Sequence, residues 1–166
     1  MTGHSTLCLR NRQQARRLNL SLLRRILRTL LAALVPTGSY ELCCHFVGTE
    51  EMARLNERFL GHIGPTDVIT FNHGAHDRAE AMDARDATRV LHGEIFVCPE
   101  MAVEQAVTYG TSWQSELARY CAHGLLHLCG YDDQTADVRR RMKREEDRLV
   151  AMLTARFPLS DLSART

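Results

Sequence analysis

A chain of 166 residues is long enough to bury one sizeable core. Hydrophobic residues at 45% and charged residues at 25% are ordinary for a globular protein, and a net charge of +1 excludes a uniformly basic nucleic-acid coat. The longest apolar run, 30–35, is too short to span a bilayer, and the opening residues lack a secretory signal pattern, so a cytoplasmic protein without a membrane partner is expected.

The first 40 residues hold seven arginines and no acid, and 20 of the 21 basic residues in the chain are arginine. The planar guanidinium fork suits phosphate, so this opening is compatible with RNA binding. The same arginines also fit the wet face of an amphipathic helix.

Residues 5–10 read as a short edge strand. Over 13–34, apolar residues at 18, 22, 23, 26, 27, 30, 31 and 34 lie opposite arginines 16, 17, 24 and 28, which predicts a helix ended by Pro36-Thr-Gly38. Residues 40–47 read as a buried strand. Thr49 is a candidate N-cap for a helix to about Leu60, with acids in its first turn. Gly61–Pro65 breaks the chain, and TDVITF over 66–71 alternates as a strand. Residues 73–89 are polar and aperiodic and read as a loop. GEIFVC over 93–98 predicts a strand, and Pro99 starts a helix through Tyr109. Thr111 or Ser112 caps a fourth helix ending near Leu128, and 135–157 forms a last amphipathic helix, with the basic run 139–144 on its solvated face. No repeat or linker divides the chain, so one α/β domain over 1–166 is expected. Six cysteines without Cys-x-x-Cys spacing, five of them in apolar elements (Cys43, Cys44, Cys98, Cys121, Cys129), read as reduced core thiols.

Chemistry concentrates in His123-Gly-Leu-Leu-His127-Leu-Cys-Gly130-Tyr-Asp132-Asp133. Two histidines four apart on a helix project about 5–6 Å apart and can reach one metal ion. Leu117, Cys121, Gly124, Leu125 and Leu128 form the buried stripe beside them. Gly130 permits the helix to end and the chain to turn, and the turn can carry Asp133 back as a third ligand. Three protein ligands with one open position describe a catalytic metal site. His92, beside the GEI strand, is an alternative third ligand, and His62, His73 and His76 read as solvated loop residues. The spacing is shared with zincin-type metallopeptidases, but their general base follows the first histidine directly, and here that residue is Gly124. Peptidase chemistry is a distant alternative.

HGLLHLCGYDD resembles the H-G-x-L-H-L-x-G-Y-D-H signature of the YbeY family. In the family's order, Leu55-Asn56 followed by Pro65-Thr-Asp-Val-Ile-Thr-Phe71 resembles L-N then T-D-V-L-S-F, and Gly93-Glu94-Ile95 resembles G-D-I. The resemblance runs from about residue 40 to 133. It implies an α/β (α+β) fold with a mixed four-stranded sheet and about five helices. It further implies a metal ion, generally zinc, held by three histidines, and endonucleolytic cleavage of single-stranded RNA near the small-subunit rRNA 3′ end. Implied partners are rRNA, the small ribosomal subunit with its proteins, and ribosome-assembly factors including a GTPase.

Two positions depart from the pattern. Asp133 stands where the family has its third histidine. A carboxylate is an acceptable ligand that lowers the site's charge and moves preference toward Mn²⁺ or Fe²⁺. Leu60 stands where the family usually carries an arginine taken to be catalytic; Arg58 lies two residues away, about 200° around a helix. Arg58, Thr66 and Asp67 are therefore supporting candidates for substrate or site, with Asp67 equally able to cap a turn. Glu94 fits either support of the site or an ordinary strand acid. The attacking group, water or the ribose 2′-OH, stays open. So does a second reading, an RNA- or ribosome-binding homologue with weakened catalysis.

Overall fold

The computed structural model describes residues 4–36, 38–74 and 90–164. Four strands form one sheet in the order β1-β2-β4-β3: β1 (Thr6–Asn11), β2 (Ser39–Phe46), β3 (Val68–Asn72) and β4 (Val90–Val97). The first three neighbours are parallel, and β3 runs antiparallel to β4, giving the expected mixed sheet. Five α-helices accompany it: α1 (Leu20–Leu34), α2 (Thr49–Leu55), α3 (Pro99–Tyr109), α4 (Trp113–Leu128) and α5 (Ala136–Arg156). Among the described residues no helix is long and apolar enough to cross a membrane.

Strand alternation divides the sheet into two unlike faces. Leu42, Cys44 and Phe46 of β2, with Leu91, Ile95 and Val97 of β4, join the buried stripes of α1 and α4 in the main core. On the other face α2 covers only one end, where Met52 meets Val47, Ile69, Phe96 and Cys98 in a smaller cluster. The rest of that face carries Cys8, Glu41, Cys43, His92, Glu94 and His73 around a shallow open cavity.

α1 starts at Leu20, later than its apolar periodicity predicts. Asn19 takes the N-cap, its side chain accepting from the Leu22 N–H at 3.0 Å. Upstream, Gln13 turns inward and bonds Asn11 and the Arg16 backbone, which closes a turn where a helix would need those groups. Leu18 is buried without being helical, in an isolated bridge to Ser163. The N-terminal arginines largely have structural partners: Arg12 pairs with Glu51 at 2.7 Å, Arg24 donates to the Leu7 carbonyl, and Arg16 and Arg25 lie over Trp113 and Phe157. The amphipathic-face reading of this segment is thus favoured over an RNA track.

Other differences are local. Thr49 is the first residue of α2, with Gly48 at the cap position. The helix continues past Leu55 as a π-helical turn, Asn56–Leu60, whose buried Asn56 side chain donates to the Gly64 carbonyl at 2.8 Å. β4 begins at Val90, before the glycine of GEIFVC, because pairing with β2 extends to Ser39↔Val90. Ser112 caps α4, accepting from the Ser115 N–H. Of the thiols expected in the core, Cys43 is only partly buried, since it points to the open sheet face. His76 and most of the 73–89 loop lie outside the described residues.

Candidate metal centre

α4 is the central helix, packed against β3, β4, α3 and α5. It lies close to the sheet because residue 124 is glycine. A Cβ at that position would stand 2.9 Å from Cγ2 of Ile95 and 3.2 Å from Cγ1 of Val68. Gly93 on β4 has a parallel role: a Cβ there would meet the Phe71 carbonyl at 2.7 Å and Leu128 at 2.9 Å. The residue in the position of the peptidase base is therefore a packing requirement, and any side chain there would push the helix off the sheet.

With that face buried, His123 and His127 emerge at the helix margin, partly buried. Their Nε2 atoms are 3.1 Å apart, and the rings meet edge to face with centroids 4.6 Å apart. Each Nδ1 is engaged behind. His123 Nδ1 bonds Glu146 Oε2 on α5 at 2.8 Å, and His127 Nδ1–H donates to the Tyr131 carbonyl at 3.1 Å. These bonds fix both rings with Nε2 facing the same space. α4 closes at Cys129, and Gly130 adopts φ +94°, a conformation that L side chains rarely take, turning the chain back on itself. Asp132 Oδ1 then accepts the backbone N–H groups of Asp133 and Gln134 in an Asx turn. The turn brings Asp133 Oδ2 to 3.5 Å from His127 Nε2. Donor atoms of His123, His127 and Asp133 all lie within 4.8 Å of one another, the only group of three that could hold a metal among the described residues.

Electrostatics fit the same reading. Burial lowers the proton affinity of His123, but the hydrogen bond and charge of Glu146, with Asp67 and Asp133 nearby, raise it above the usual range overall. His127 moves down, through burial and the positive charge of His123, against the pull of Asp133. Of the two imidazoles His123 is thus the more basic, and a cation binding there competes with protons. Glu146 would be raised by burial, yet His123 and Arg119 hold it below the usual carboxylate range; Arg119 Nη1 reaches its Oε1 at 2.8 Å.

Glu146 and its arginine were not singled out in the sequence. One signal existed: Glu146 falls in the buried stripe Met142, Glu146, Leu149, Val150, Leu153 of α5. An acid on an apolar stripe requires a partner. Arg139 and Arg141, read as solvated, also serve the turn: Arg139 donates to the Asp133 carbonyl and Arg141 lies over the Tyr131 ring. Arg148–Glu145, Arg140–Asp137 and Lys143–Asp147 pair along the solvated surface of α5.

The remaining candidates separate. Thr66 and Asp67 lie at the mouth of β3, where Asp67 Oδ1 accepts from the Val68 N–H and from Thr66 Oγ1 while its charge acts on His123. His92 is elsewhere: its Nε2 is 3.7 Å from Glu41 on the open sheet face, and its ring packs against His73. Glu94 bonds His45 and His73 on that same face, so it is a strand acid remote from the centre. Leu60 ends the π-helical turn, 51% exposed. Arg58 stacks on Phe59 and lines a groove with Glu51, Arg54 and Glu57.

The comparisons agree with this architecture. The family model described as Endoribonuclease YbeY matches residues 8–154. A relative of that name from Salinispora tropica is 41% identical over 118 residues, covering 67% of this chain and 73% of its own length. One from Halalkalibacterium halodurans is 40% identical over 116 residues, covering 69% and 73%. A Thermoanaerobacter relative is 32% identical over 139 residues, covering 80% of this chain and 86% of its own. The solution structure of a Thermotoga maritima protein shares the fold at a TM-score of 0.58 and 23% identity, over 97% of this chain and 99% of that one. From the paired histidines on α4 to the strand entry beside them, the chain belongs to the YbeY family.

Proposed function

We propose that this protein is a metal-dependent endoribonuclease that cuts single-stranded ribosomal RNA during maturation of the small-subunit 3′ end. It works as one domain over 1–166 in the cytoplasm. The observation that carries the reading is the convergence of His123 and His127 Nε2, each ring fixed from behind, with Asp133 at the third corner. The donors suit zinc, and the carboxylate leaves Mn²⁺ or Fe²⁺ open as occupants. A divalent cation held there supplies positive charge to phosphate oxygens and acidifies water.

The chain's own residues do the rest. Glu146 and the Tyr131 carbonyl keep the imidazoles oriented. Asp133 completes the donor set and reduces its net charge. We assign Thr66 and Asp67 to holding the β3 entrance beside His123, and Arg58 to contacting the RNA backbone from its groove. With leucine at position 60, phosphate stabilisation depends on the cation more than in relatives that carry arginine there. rRNA, the small subunit and ribosome-assembly factors are the partners this reading implies.

The family membership favours a catalyst over a binding-only homologue, and the packing at Gly124 disfavours the peptidase alternative. The test is elemental analysis of the purified protein beside cleavage of a single-stranded rRNA fragment by wild type and His127→Ala. One bound metal per chain, lost with cleavage in the variant, is expected. Cleavage unchanged in His127→Ala would overturn the mechanism. The double substitution Leu60→Arg with Asp133→His is expected to raise the cleavage rate; loss of metal from it would mean that the Asp133 site is tuned as it stands.

A further inference from the structure

The open face of the sheet carries chemistry that RNA cleavage does not use. Cys8 on β1 and Cys43 on β2 are direct register partners on adjacent parallel strands. Neighbouring strands are about 4.8 Å apart, inside the Cα separation that a disulfide spans. The two side chains therefore stand next to each other on the open face of the sheet. β1 is an edge strand, paired on one side only, so it can shift toward β2 as the bond closes.

Access distinguishes this pair. Cys8 and Cys43 are partly exposed and line a cavity of about 350 Å³ with Thr6, Glu41, His92 and Glu94. The other four cysteines are buried. Cys121 on α4 and burial together push Cys44 on β2 upward, but both lie fully buried in the core, where no reagent reaches. The molecule thus contains an exposed thiol pair and a buried one as its own control.

The surroundings also assign unequal roles. The neighbouring Cys43, with the positive charges of Arg10 and Arg24, holds Cys8 below the usual thiol range against the effect of burial. Burial and the neighbouring Cys8 push Cys43 upward. Cys8 is thus the more acidic thiol of the two.

We propose that Cys8 and Cys43 form a peroxide-reactive dithiol, Cys8 attacking and Cys43 resolving, that closes to an intrachain disulfide tying β1 to β2. The Cys8 thiolate attacks one peroxide oxygen. The O–O bond breaks and hydroxide leaves, taking up a proton to become water, and Cys8 is left as sulfenic acid. The Cys43 sulfur then attacks the Cys8 sulfur; the S–S bond forms, the S–O bond breaks, and the departing hydroxide carries off the Cys43 proton as a second water. Two electrons pass from the thiols to the peroxide. Because Cys43 faces away from α4, the reaction proceeds without contact with His123 or His127, and it stands independently of the RNA reading.

The test treats the full-length protein with equimolar hydrogen peroxide, blocks free thiols under native conditions, and maps the tryptic peptides by mass spectrometry. A monomer lighter by two hydrogens, with the Cys8 peptide joined to the one bearing Cys43, is expected. Cys44→Ala should keep the link and Cys43→Ser should abolish it. In Cys43→Ser the sulfenic acid should persist on Cys8 and be captured by dimedone, with far-UV circular dichroism unchanged. Dimedone on Cys43 in Cys8→Ser, links between chains, or oxidation of Cys98 and Cys121 as fast as Cys8 would overturn the proposal.

Discussion

The His123 ring is fixed by a carboxylate from another helix, and that carboxylate is itself fixed by Arg119. For a metal held as proposed, Glu146 would act through an imidazole, a positioning role. Glu146→Gln is expected to weaken metal binding about 10- to 100-fold, read by competition with a chromophoric chelator, while urea unfolding of the metal-free protein keeps a single transition. Asp133→Asn removes the anionic donor but retains the turn, since Asp132 makes the bonds that shape it. It should lower metal affinity without lowering the melting temperature of the metal-free chain. A fall in both would place Asp133 in the fold instead of the site.

At the scale of elements, the proximity of α4 to the sheet sets the site. Gly124→Ala forces the added methyl against Ile95 and Val68 and should cost about 1–3 kcal/mol, measured by urea denaturation, with the histidines displaced outward. A stability equal to wild type would mean that the helix tolerates the shift. The open face has a different sensitivity. Burial would raise Glu94, yet hydrogen bonds from His73 and His45 hold it below its ordinary value of 4.5. A lowered carboxylate contributes stability that is present above that value and lost as pH falls through the lowered one. The stability difference between wild type and Glu94→Gln should therefore shrink as pH drops from 6 toward 3; a constant difference would sink the assignment.

These same elements show what the sequence displays. The α4 stripe, the His-x₃-His spacing and the Gly130 turn are local patterns governed by helical periodicity and backbone freedom, and they read correctly. The start of α1 did not, because Gln13 and Asn19 compete for backbone groups that periodicity alone assigns to a helix. The role of Glu146 is not legible in the sequence because its partner lies on another helix 23 residues away. The placement of His92 depended on strand register: one residue either way would have turned it toward α4.

For the whole molecule, the proposed metal site would join α4, the turn after it and, through Glu146, α5, so occupancy should stabilise all three. At 100 times its dissociation constant a cation that binds only the folded chain adds about 2.7 kcal/mol. Thermal unfolding with and without zinc should show this gain in wild type and lose it in His123→Ala. A metal-insensitive melting curve in wild type would argue against a preformed centre.

The bridge between Leu18 and Ser163 has a consequence for how the chain is made. Asn19 N–H bonds the Leu162 carbonyl, its side chain bonds the Asp161 carbonyl, and Ala164 N–H returns to Arg17. The cap of α1 is therefore anchored by residues synthesised more than 140 positions later. At ribosomal elongation rates that interval is on the order of ten seconds. During it the first helix and edge strand have left the exit tunnel without the segment that locks them. The first helix thus stays without its cap contacts until residues 161–164 emerge, and those residues complete it.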